Sequence, residues 1–222
     1  MQLKLFSLDK YELTDETINR HDHTLHRIRA LQDIPGHDVK AGDLGGFIES
    51  EANLSQEGDC WVGGDACVSG NAQVYGDACV CGDAWVYDTA QVSDNAQGCG
   101  NARICSDAWV YDNAHVYGSA QVSSNAHVFG NARVYGDAWV YGNALVYGNA
   151  QIFNYAQVYN HAHVYGNAQV CGNACVSGNA QVYGDVWVFG DAWISDYARV
   201  YDNAYVCDNA QVFGNAQVSG GA

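Results

Sequence analysis

Three histidines, His21, His23 and His26, crowd one short stretch in the spacing His-x-His-x-x-His. Neutral imidazoles are good metal ligands, and three so close could meet one ion. A turn rich in polar residues explains the same cluster without a metal, and no metal site is expected there. Four further histidines, His115, His127, His161 and His163, lie far along the chain. Nine cysteines make an odd number, with no CxxC followed by a second pair. That pattern points to reduced thiols rather than a metal knot. No Ser-His-Asp or Cys-His set stands out from the many pairs that could be chosen. The residues that could do chemistry therefore name no reaction and no cofactor.

What positions them is a repeat. From Cys60 to Ala222 one six-residue phrase recurs, as in Ala72-Gln73-Val74-Tyr75-Gly76-Asp77. Val or Ile returns at every sixth position from Val62 to Val218, with Gly98 the one exception. Ala returns likewise from Ala66 to Ala222, broken by Val186. Period two within the phrase sends Ala72 and Val74 to one face and Gln73 and Tyr75 to the other. Gly76-Asp77 then bends the chain, because Gly, Asn and Asp tolerate left-handed backbone angles. Each phrase is a short strand and a corner that buries only an Ala and a Val, so phrases must stack into a shared core. A helix is excluded, since period six with Gly and β-branched residues fits neither 3.6 nor 3.5 spacing.

Charge is split unevenly along the chain. Residues 1–46 carry a net of −2, and the remainder a net of −14 with Arg103, Arg133 and Arg199 as its cations. Such a surface repels phosphate backbones, so direct nucleic-acid binding is excluded, although imitation of DNA is not. The start, Met1-Gln2-Leu3-Lys4-Leu5-Phe6, is too short for a signal peptide, and no apolar run approaches the roughly 20 residues of a membrane span. The expectation is a cytoplasmic protein without a membrane partner.

The phrase Val-Tyr-Gly-Asn-Ala-Gln, as at Val146–Gln151, resembles the hexapeptide repeat of left-handed parallel β-helices. There an aliphatic residue is followed four positions later by a small one. The resemblance implies an all-β, single-stranded left-handed parallel β-helix, three phrases or 18 residues per triangular coil. Residues 47–222 would form about nine to ten coils, and residues 1–46 a small β-rich cap. One departure is plain: the position after the aliphatic residue is usually small in that class, whereas here it is often Tyr.

The first 46 residues lack the phrase. Lys10-Tyr11-Glu12-Leu13 and Leu25-His26-Arg27-Ile28-Arg29-Ala30-Leu31 alternate as short strands around a polar turn. A hairpin is expected, then a loop from Asp33 to Gly46 holding Pro35. Coils should begin near Ile48, Ala52 and Leu54, with two extra residues between Leu54 and Val62 widening one corner. Such an end needs a cap, because a β-solenoid end exposes core and unpaired strand groups. Residues 10–62, and Lys40 to Trp61 above all, are similar to the amino-terminal region of YdcK-like proteins and of repeat proteins common in bacteriophages and prophages. That resemblance implies a bacterial or phage protein. The acyltransferase label often attached to YdcK-like proteins rests on fold analogy.

Folding the sequence at 18 residues sorts side chains into columns. One corner carries Asp77, Asn95, Asn113, Asn131, Asn149, Asn167, Asp185 and Asn203, able to hydrogen-bond up the column. Two residues earlier runs an aromatic edge: Tyr75, then Ser93, then Tyr111, Phe129, Tyr147, Tyr165, Tyr183 and Tyr201. The rings could stack to shield the backbone, or offer a platform to a partner, above all a second copy of the chain. Val212 and Val218 close the last coils and are a second expected contact between copies. His127 and His163 share a column about 9.6 Å apart, too far for one metal. Asp65 with Asp83, and Asp59 with Asp77, stack at about 5 Å, where Ca²⁺ is conceivable but solvated corners suffice. Thr89 is the one Thr of the repeat, which rules out the Thr arrays of ice binding. Gly98 leaves an inward slot without a side chain, and the expectation is that Gly98→Val stabilises the fold.

Two functions remain in play. One is a non-catalytic structural or binding solenoid, phage- or prophage-encoded, acting as an acidic decoy or sequestering a small molecule. The other is an acyltransferase-like enzyme with a site between subunits. Acyltransferases of this fold class generally use a catalytic His and a loop that breaks the coils. This chain has no such loop from Val62 to Ala222, and the non-catalytic reading is preferred.

Overall fold

The computed structural model describes residues 9–220. It begins with an antiparallel hairpin, β1 (Tyr11–Arg20) and β2 (His23–Ala30). The turn residues His21 and Asp22 adopt φ of 45° and 67°, the left-handed pair that a two-residue hairpin loop requires. The alternating pattern at Lys10–Leu13 marks only the start of β1. The strand continues to Arg20 past a register irregularity between Leu13 and Thr17, so the hairpin is longer than the sequence suggests. After a 3₁₀ turn at Pro35–His37, β3 (Leu44–Ile48) returns antiparallel to β2. The loop expected from Asp33 to Gly46 is therefore shorter by the first residues of β3.

At its far end β3 changes role. Phe47 and Ile48 pair in parallel with Cys67 and Val68, and the hairpin sheet runs straight into one face of a solenoid. The solenoid has three faces of short parallel strands. Hairpin, β3 and the cap face form one twelve-stranded sheet, with the cap face running from Cys67–Val68 to Gln211–Val212. The ladder face runs from Gln73–Val74 to Gln217–Ser219, and the third face from Trp61–Val62 to Tyr205–Val206, each nine-stranded. The result is an all-β parallel solenoid of about ten turns. Among the described residues no helix is long and apolar enough to cross a membrane.

Register confirms the 18-residue coil. Gln73 pairs with Gln91 and Val74 with Val92, and the same offset holds from Trp61↔Cys79 onward. Before that, Ile48 pairs with Val68 and Leu54 with Val74. The offset there is two residues longer, which places the widened corner between Leu54 and Val62, as expected. Ala52, expected to point inward at the first coil, is exposed. The 3₁₀ turn Glu51–Asn53 rotates the chain so that Asn53 enters the core, where its amide Nδ2 donates to Gly70 O at 3.0 Å and Ala72 O at 2.9 Å.

The core is the Ala and Val or Ile columns, which are buried from Val62 to Val206. Gly98 is not beside an empty slot. A Cβ built there would lie 3.1 Å from Ile104 Cδ1, so the longer side chain on the next face leans into the space. The left-handed angle falls on the first residue of each corner: Gly76 has φ 69°, and Asp94, above it, 58°.

Candidate binding surfaces

The aromatic edge forms as stacked rings. Tyr111, Phe129, Tyr147, Tyr165, Tyr183 and Tyr201 follow one another at centroid separations of 4.8–5.5 Å, nearly parallel. That spacing is the distance between parallel strands, so the backbone repeat itself sets the stack. Tyr75 stands apart, because Ser93 occupies the slot between; its hydroxyl donates to Gln91 Oε1 at 3.0 Å. The other two faces carry only fragments: Tyr117–Tyr135–Phe153 and Tyr141–Tyr159. All six ladder rings are half-buried. Beside them the amide column closes over part of its length, with Asn131 Nδ2 donating to Asn149, Asn149 to Asn167, and Asn167 to Asp185 at 2.8–3.2 Å.

The charge pattern around the ladder is uneven in a way that matters for contact. From Ala138 to Gly184 the chain contains no Asp, Glu, Lys or Arg. Every face of those coils is therefore uncharged apart from what His161 and His163 can acquire. Exposed rings concentrate there and beyond, with Trp139, Tyr155, Trp193 and Tyr197 all exposed. Val212 is buried and Val218 only half-buried against the core.

Histidines and acids find separate partners. His23 Nδ1 lies 2.9 Å from Glu49 Oε1, His26 Nδ1 lies 3.3 Å from Thr14 O, and the His21 ring rests 4.5 Å from Trp85. The His23 hydrogen bond holds the Glu49 carboxyl below its ordinary range. Asp65 pairs with Arg27, Asp59 accepts from Gly36 N, and Asp77 accepts from Asp59 N. Among the described residues no three His, Cys, Asp or Glu converge as a metal site. His127 and His163 are pushed down by partial burial.

The thiols are not all free. Cys81 and Cys99 form a disulfide, their Cα atoms 4.7 Å apart. The expectation of nine reduced thiols fails here for a geometric reason. The two residues are 18 apart in the same outward slot, so adjacent strands deliver them at bonding distance. That signal was present in the sequence.

A second surface was not foreseen. The hairpin tip lies over the cap face and encloses a cleft of about 340 Å³, lined by His21, His23, Ser69, Trp85, Tyr87, Asp88 and Arg103. Trp85 is buried beneath His21, stands 4.4 Å from Tyr87, and donates its indole N–H to Ser69 Oγ at 3.4 Å. Leu25, Phe47 and Cys67 pack behind it as a small separate core. Arg27 clamps this junction, its guanidinium 4.1 Å over Phe47 and its Nε donating to Glu16. Burial and Cys105 beside it push the Tyr87 hydroxyl up to about 12.

With this geometry in place, comparison with known families gives one match. The YdcK beta solenoid repeat matches residues 72–88, 126–142, 138–153 and 168–181. The chain is a repeat β-solenoid protein that resembles YdcK-like proteins. No curated protein matches it.

Proposed function

We propose that the chain is a non-catalytic binding solenoid whose working surface is the aromatic edge, and that its first partner is a second copy of itself. The observation that carries this reading is the charge-free stretch from Ala138 to Gly184, which coincides with the middle of the stacked ladder. Elsewhere two copies of a chain with net charge −16 would bring carboxylates together; over these coils they would not. The half-buried rings still present a continuous apolar strip flanked by polar residues, and such strips mark contact surfaces. A bacterial cytoplasmic home, phage or prophage origin, and service of the acidic remainder as a decoy for a nucleic-acid-binding partner complete the proposal. Contact through Val212 and Val218 is a further part of it.

Sedimentation velocity tests the reading. The wild type should associate, and the variant Tyr111→Ser/Tyr147→Ser/Tyr183→Ser should fold yet sediment as a monomer. A wild-type monomer at all concentrations, or a variant with an unchanged oligomer, overturns it. Calorimetric binding of acetyl-CoA would instead favour the acyltransferase-like alternative.

A further inference from the structure

We propose that the cleft under the hairpin tip binds a small zwitterion with a planar apolar body, of the kind an aromatic α-amino acid presents. The inference rests on three features of the cleft and is independent of the aromatic edge.

The first is the floor. His21 and Tyr87 lie 4.5 and 4.4 Å from the buried Trp85 in tilted arrangement, and flat apolar groups stack well on the ring faces that His21 and Tyr87 leave open. Trp85 is held from behind by the Leu25, Phe47 and Cys67 cluster, so the floor is rigid before any ligand arrives. The second is the pair of opposite charges at the rim. Arg103 and Asp88 both line the cleft, yet they form no ion pair with each other among the described residues. Among the described residues the Arg103 guanidinium makes no hydrogen bond either, its backbone N–H alone donating, to Ala120 O, while Asp88 commits one oxygen, Oδ2, to the Ser106 N–H at 3.1 Å. A guanidinium and the second carboxylate oxygen therefore stay available to a carboxylate and an ammonium on one ligand. The third is size. A volume of about 340 Å³ is at the lower end of small-molecule sites.

The remaining titratable groups fit the same ligand. The His23 imidazole is turned toward Glu49, whose second oxygen accepts from Gly70 N at 2.7 Å. Glu49 is thus already occupied and does not compete with Asp88 for the ammonium. Tyr87 keeps its proton and can serve only as a neutral donor or acceptor.

Isothermal titration calorimetry with three probes of one skeleton reads the proposal: L-phenylalanine, 3-phenylpropionate and phenethylamine. L-phenylalanine should bind about 10-fold more tightly than either single-charge probe, because it alone satisfies both groups. Arg103→Gln, which places the repeat's commonest residue in that slot, should remove the advantage over phenethylamine alone. Asp88→Asn, whose amide tolerates the left-handed corner and can still accept from Ser106, should remove the advantage over 3-phenylpropionate alone. Melting temperatures confirm that each variant is folded. No L-phenylalanine binding at millimolar concentration, equal binding of the three probes, or unchanged selectivity in both variants overturns the assignment.

Discussion

The junction between cap and solenoid is built from residues used once, and the coils from residues used many times. At the junction Lys10, though buried, directs its ammonium at Gly58 O and Cys60 O at 3.1 and 2.9 Å, filling the widened corner. Tyr11 donates to Leu54 O at 2.7 Å, and Asn53 satisfies two carbonyls of the next coil. Each buries polar atoms that have no second source of partners, so each loss leaves several groups unsatisfied. In the coils an Ala slot accepts Val186, and a corner accepts Gly, Asp, Asn or Ser at almost the same angle. Stability there is a sum of small, interchangeable terms. The difference predicts sensitive positions before residue 62 and tolerant ones after it.

The strongest test is Gly46→Ala. A methyl there would stand 2.5 Å from Ala66 O and 2.8 Å from Val62 Cγ1. Backbone, not a flexible side chain, is the obstacle, so β3 must pull away from the first coil. We expect a loss of about 3 kcal/mol, read by chemical denaturation. Ser124→Gly in a solenoid corner, where φ is 59°, should stay within about 0.5 kcal/mol, since Gly relieves the angle while adding unfolded-state freedom. Equal losses in the two variants would erase the distinction between junction and coils.

A middle-sized effect is expected at Gly98, where one coil has lost its interchangeability. Because Ile104 Cδ1 occupies the space, Gly98→Val alone should destabilise by about 1 kcal/mol. Ile104→Val removes the intruding methyl, and the double variant should exceed the wild type by about 1 kcal/mol. The positive coupling in a double-mutant cycle is the result that matters. Stabilisation by Gly98→Val alone would mean that Ile104 does not hold the slot.

These cases show what the sequence could reveal and why it stopped. Period six and the 18-residue fold place every Val column, the stacked edge from Tyr111 to Tyr201 and the widened corner, because translation along the solenoid turns sequence offset into distance. The same rule places Cys81 beside Cys99. It has no hold on the cleft, which depends on how far the hairpin reaches. Residues Thr14–Arg20 lack the clean alternation that marks Lys10–Leu13, so neither the length of β1 nor the position of His21 over Trp85 can be read from pattern. Ala52 misled for a similar reason: it has the right residue type, but the 3₁₀ turn gives its inward place to Asn53.

The smallest effect concerns His127, in a column whose commonest residue is Gln, at Gln73, Gln91, Gln181 and Gln217. Its ring stacks on Trp109 at 5.5 Å and meets Tyr111 edge-on at 6.1 Å. Two forces act on its proton. A charged imidazole over an indole face gains cation–π attraction, while partial burial disfavours the charge. Burial prevails, and the folded pKa lies below the ordinary value. The unfolded chain then binds more protons than the folded one as pH falls through that interval. The neutral ring's contribution is therefore complete above the unfolded pKa, near 6.5, and is lost as pH drops through the folded one. His127→Gln should leave the melting temperature at pH 8 within a degree or two and make its decline between pH 7 and 5 shallower. His163, shifted the same way by burial and by His161, keeps part of the slope, so the variant should flatten the decline without abolishing it. A steeper decline in the variant would mean that the stacked cation prevails over burial.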